Sequence, residues 1–140
     1  MHSYKKIMVP VDLVHAEKLA HALDAAASLA KLYGAPVTYV GVTASLPGPL
    51  GHNPSEYTQK LEKFAADQSR KHDIRTSART IISHDPSVEL DDALVKAVHD
   101  TDSDLVVMAT HIPNIGDHFW PSNGGRVATH TDASVLLVRG

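Results

Sequence analysis

Two periodicities alternate along this 140-residue chain, and that alternation constrains its fold more than any other feature. Ile7-Met8-Val9-Pro10-Val11 is a short apolar run closed by Asp12, as suits a strand buried on both faces. Leu19, Ala20, Leu23, Ala26, Ala27 and Ala30 then recur at helical spacing until Gly34, the residue type that ends helices in a left-handed conformation. Pro36 to Thr43 is a second strand, rich in β-branched and aromatic side chains. A proline- and glycine-broken loop from Ala44 to His52 leads to Asn53-Pro54-Ser55-Glu56. That tetrapeptide opens a helix, with Asn as cap and Pro at the first position, and its inner stripe is Tyr57, Leu61, Phe64, Ala65 and Gln68. Ile74 to Ile82 is a more polar strand, suited to a sheet edge. Asp85-Pro86 starts a helix with Leu90, Leu94, Ala97 and Val98 inward. Strands at Asp104–Ala109 and Ala133–Val138 flank a loop, Thr110 to Pro121, and a short helix from Ser122 to Thr131.

Five strands alternating with four helices predict an α/β fold: a doubly wound, Rossmann-like five-stranded parallel sheet with helices on both faces, in one domain over residues 1–140. Composition narrows the function classes. With 13 Lys+Arg against 16 Asp+Glu, the formal charge of −3 gives no support for a nucleic-acid-binding surface. The absence of cysteine excludes disulfides, Cys-ligated metals and thiol catalysis. No apolar run approaches the roughly 18 residues of a membrane span, and Met1 to Lys6 does not read as a signal peptide. A cytoplasmic protein is expected.

Ligands of doubly wound folds bind outside the carboxyl ends of the strands, where strand order reverses. Asp12 stands at one such end, either capping the next helix or accepting hydrogen bonds from a ligand; the roles can coexist. Neither GxGxxG nor GxxxxGK[ST] occurs, which disfavours dehydrogenase and P-loop readings. The long loop after the fourth strand ends in Ser122-Asn123-Gly124-Gly125, where free amides at a helix start suit phosphate, or Ser122 is simply a cap. Ten histidines, among them His15, His84, His111 and His118, lack the spacing of a metal site. Phe119 and Trp120 either pack the loop or offer a stacking surface.

Several segments in order resemble the universal stress protein family along essentially the whole chain. They are Ile7-Met8-Val9-Pro10-Val11-Asp12, Val40-Gly41-Val42, Asp104-Leu105-Val106-Val107-Met108-Ala109-Thr110-His111 and Ser134-Val135-Leu136-Leu137-Val138-Arg139. Thr110-His111-Ile112-Pro113-Asn114-Ile115 followed by Ser122-Asn123 resembles a branch of small single-domain members. The resemblance implies a homodimer that binds ATP or another adenine nucleotide and serves as a stress-response sensor or regulator. It places the adenine by Asp12 and Val42, with Pro10 and Val11 also in the nucleotide site, and the ribose and phosphates along Ala109, Thr110, His111, Ile112, Ser122 and Asn123. Mg²⁺ can accompany the phosphates. Three positions depart from the family's glycine pattern: Ala109, Ile112 and Pro121, the last with no N–H to offer a phosphate.

No catalytic triad, activated nucleophile or carboxylate pair is legible. The alternatives to a nucleotide sensor are a ligand-free dimeric interaction module, in which Pro121 closes the phosphate site, and a slow ATP hydrolase using Asp12 or His111. The last strand is apolar and expected at a sheet edge, so pairing with its copy in a second subunit would satisfy it.

Overall fold

A computed structural model describes residues 3–44, 53–84, 86–110 and 123–139. Five strands, β1 (Ile7–Pro10), β2 (Val37–Ala44), β3 (Thr76–Ser83), β4 (Leu105–Thr110) and β5 (Ser134–Arg139), form one sheet in the order β3-β2-β1-β4-β5. Every neighbouring pair is parallel. Four helices connect them: α1 (Ala20–Tyr33), α2 (Pro54–His72), α3 (Pro86–Thr101) and α4 (Asn123–His130). The chain moves outward from β1 to β3, returns across the sheet through α3, and then builds β4 and β5 on the other side. Right-handed crossovers therefore set α1 and α2 on one face and α3 and α4 on the other. Packing agrees: α2 lies on β2 and β3, while α3 touches both β1–β3 and α4. The expected doubly wound sheet is present, with both predicted edge strands at its edges.

Local signals account for the element ends. The Asn53 carboxamide accepts a hydrogen bond from the Glu56 N–H at 3.0 Å, and Pro54 is the first residue of α2. Gly34 closes α1 at φ 64°, where a side chain would be strained. One element differs from expectation. A 3₁₀ segment, Leu13–Leu19, kinked at His15, precedes α1. Its residues lack the apolar spacing of the following helix, and only Leu19 is buried.

The three central strands supply the middle of the core: Ile7, Met8, Val9, Val37, Tyr39, Val40, Val106, Val107 and Met108 are all buried. Each such side chain contributes about 1.5–3 kcal/mol by leaving water. Leu23 and Ala26 of α1, Leu61 of α2, and Leu94 and Ala97 of α3 close on it from the two faces. Tyr39 and Phe64 meet edge-to-face at 5.3 Å, joining β2 to α2.

The junction of β1 with β4 positions the site. Their ladder pairs only Ile7 with Leu105 and Met8 with Val106. At the amino end it is stitched by Asp104, whose carboxylate accepts the Lys5 and Lys6 N–H groups at 3.0–3.1 Å. Toward the carboxyl end β1 continues only with β2, through the Val11 N–H to the Val40 carbonyl at 2.8 Å. Meanwhile β4 continues with β5 as far as Thr110 opposite Arg139. Strand order reverses at this same junction.

Candidate functional site

Asp12 stands two residues past the end of β1, at that reversal point. Its Oδ1 accepts the Val14 N–H at 3.0 Å, so it caps the 3₁₀ segment. Its Oδ2 lies 2.9 Å from Nδ1 of His15. The capping role weighed from sequence is therefore real, and it leaves the carboxylate fixed at the mouth of the strand. A carboxylate oxygen has a second lone pair, so neither contact removes its capacity to accept from a ligand.

The residues beside it follow the strand geometry. Pro10 and Val11 are buried at the end of β1. Val42 is half-buried near the end of β2 and packs on the core. Across the junction, Ala109 and Thr110 are the last, buried residues of β4. Asn123 is the first residue of α4. His111, Ile112 and Ser122, with Phe119, Trp120 and Pro121, lie outside the described residues. The residues brought to the carboxyl ends of the three central strands are thus Pro10, Val11, Asp12, Val42, Ala109 and Thr110. Among the described residues, no three His, Asp or Glu side chains are grouped to hold a metal ion.

Tyr57 joins this constellation, although its sequence position marks it only as part of the inner stripe of α2. It is 5% exposed, and the hydroxyl end of its ring packs against Gly41 of β2. A Cβ added at Gly41 would stand 2.8 Å from the tyrosine ring and closer still to its hydroxyl, so only glycine admits the ring. Burial first, and the charge of Asp12 second, push the Tyr57 phenol above its ordinary pKa range. The group is a protonated phenol near a carboxylate at the mouth of β1 and β2. A glycine in mid-strand was the available signal, since such glycines often mark the close approach of another group.

The arrangement offers a fixed carboxylate acceptor, a phenol, small buried strand ends and a helix beginning on the far side. These suit a polar, partly aromatic ligand laid across the strand ends. Comparisons with known proteins agree with the fold around it. Universal stress protein G of Salmonella typhimurium is 29% identical over 152 aligned positions, covering 97% of this chain and 99% of that protein. The crystal structure of a universal stress protein in complex with cAMP superposes with a TM-score of 0.70 at 18% identity, covering 98% of both chains. A universal stress protein from Archaeoglobus fulgidus in complex with dAMP gives 0.66 at 21% identity, covering 98% of this chain and 99% of that one. The model of the universal stress protein family matches residues 3–139, nearly the full sequence, and on that match this chain belongs to the universal stress protein family.

Proposed function

We propose that this protein is an adenine-nucleotide-binding sensor or regulator of the cytoplasm, with the base held at the mouths of β1 and β2. The carrying observation is Asp12, a carboxylate fixed by its cap bond at the point where the β1–β4 ladder has ended and strand order reverses. Pro10, Val11 and Val42 would wall the base. Ala109, Thr110, His111, Ile112, Ser122 and Asn123 would follow the ribose and phosphates, with Mg²⁺ where a triphosphate is bound. The complexes of related proteins with cAMP and dAMP support an adenine nucleotide as the ligand class, and ATP is the member we favour. We further propose a homodimer paired through β5, whose Leu136 and Leu137 are 39% and 46% exposed on an open sheet edge.

Equilibrium titration with ATP and AMP tests this reading. Asp12→Asn keeps an oxygen to cap Val14 but removes the charge. Hydrogen bonds to charged groups are worth about 1.5–3 kcal/mol, so affinity should fall by roughly tenfold or more with the fold intact. A parent protein that binds neither nucleotide at millimolar concentration would overturn the proposal. It would favour the ligand-free module, for which Pro121 in place of a phosphate-binding glycine speaks.

A further inference from the structure

The Tyr57 hydroxyl is a polar group with no hydrogen-bond partner among the described residues, on a side chain that is 95% withdrawn from solvent. The hydroxyl is the part of the side chain that comes nearest to Gly41, so it lies over the β2 backbone beside the strand end. Asp12 follows Val11, whose N–H bonds the carbonyl of Val40, the residue before Gly41, so carboxylate and phenol sit at neighbouring strand ends, and no hydrogen bond joins the two. Both Asp12 oxygens are instead engaged, one by the Val14 N–H and the other by His15. A donor and an acceptor therefore lie at neighbouring strand ends without satisfying each other. A ligand that presents its own donor beside its own acceptor would bridge them.

We infer that Tyr57 is a base-binding residue of the nucleotide site, its hydroxyl donating to a ring nitrogen of adenine while Asp12 accepts from the exocyclic amine. The inference rests on the nucleotide reading above and adds a residue and a contact to it. Adenine carries its amine between two acceptor nitrogens, N1 and N7, so either edge supplies the required pair. A phenol held protonated donates to such a nitrogen at neutral pH. Gly41 then serves the site as well as the sheet, because it seats the ring that carries the donor.

The test uses AMP, 1-deaza-AMP and 7-deaza-AMP with the parent and Tyr57→Phe, alongside thermal unfolding without ligand. Tyr57→Phe should keep a cooperative thermal transition and bind AMP about tenfold more weakly. One of the two deaza analogues should show that same loss on the parent and no further loss on the variant. A role confined to packing would instead leave both analogues weakened by equal factors on both proteins, and this would overturn the inference. So would equal AMP affinity for parent and variant. Should the variant fold poorly, the parent alone decides: if neither analogue binds more weakly than AMP, no such contact exists. A parent that binds no AMP at all removes the nucleotide reading itself, whereas every other negative outcome removes only Tyr57.

Discussion

The two edges of the sheet are built in opposite ways. On β3, side chains of both faces are tied down by polar bonds: Thr76 to the Ala65 carbonyl, Thr80 to Thr58, Ser77 to Thr38, and Arg79 to Asp100 of α3. An open groove of about 440 Å³ beside it, between β3 and α2, is lined by Glu62, Ser69 and Arg70 among alanines. On β5 the residues are Ser134-Val135-Leu136-Leu137-Val138-Arg139, with two leucines substantially exposed and polar side chains only at the ends. An open edge offers unpaired N–H and C=O groups to any passing strand, and charges are a common defence. The lesson is that β3 is protected as a terminus of the sheet, whereas β5 carries none of that protection along its length. In the proposed dimer a second copy would meet this edge with the same apolar surface.

Three substitutions would break or sharpen that contrast. The largest effect belongs to Leu136→Lys, which puts two like charges into the proposed β5 pairing. Light scattering at micromolar concentration should give a dimer mass for the parent and half that mass for the variant. A parent that is already monomeric would end the dimer proposal. Next is Arg79→Val, which strips the charge from β3 and should make the second edge adhesive, seen as species larger than a dimer on concentration. Its cost to folding should stay near 0.2–1 kcal/mol, the usual worth of an exposed ion pair such as Arg79–Asp100 at 3.5 Å. Smallest is Ile82→Lys on β3, where the side chain is 56% exposed. Mass should not change, and chemical denaturation should move stability by no more than about 0.5 kcal/mol. A loss of dimer in this variant would transfer the interface to the wrong edge.

The edge character of β3 was legible in Arg75, Ser77 and Arg79, and that of β5 in its place at the end of a doubly wound chain. Helix boundaries were equally legible at Gly34 and Asn53, because a cap is a local interaction between residues near in sequence. The 3₁₀ segment was not, because its kink at His15 follows the hydrogen bonds that Asp12 makes to Val14 and His15, not an apolar rhythm. The candidate site divides along the same line. Asp12 and Val42 could be placed at strand ends from the alternation of elements, and Ala109 and Thr110 likewise. Tyr57 could not, since its partners Gly41 and Asp12 lie 16 and 45 residues away and only the folded sheet brings them together. Its helical spacing announced a core residue, and burial proved that much true while hiding the hydroxyl.

The two-pair ladder between β1 and β4 has a mechanical consequence. In hydrogen-bonding terms the sheet is two ribbons, β3-β2-β1 and β4-β5, riveted near one end by Asp104 and its two backbone donors. Opposite the rivet, the ribbons meet without backbone pairing, so a molecule spanning Asp12 and Thr110 grips them where its lever arm is longest. Its binding energy would then act directly on how often the ribbons spread, and the slowing of amide exchange along β1 and β4 would measure it. A sheet built this way would report occupancy of the proposed site through its own breathing.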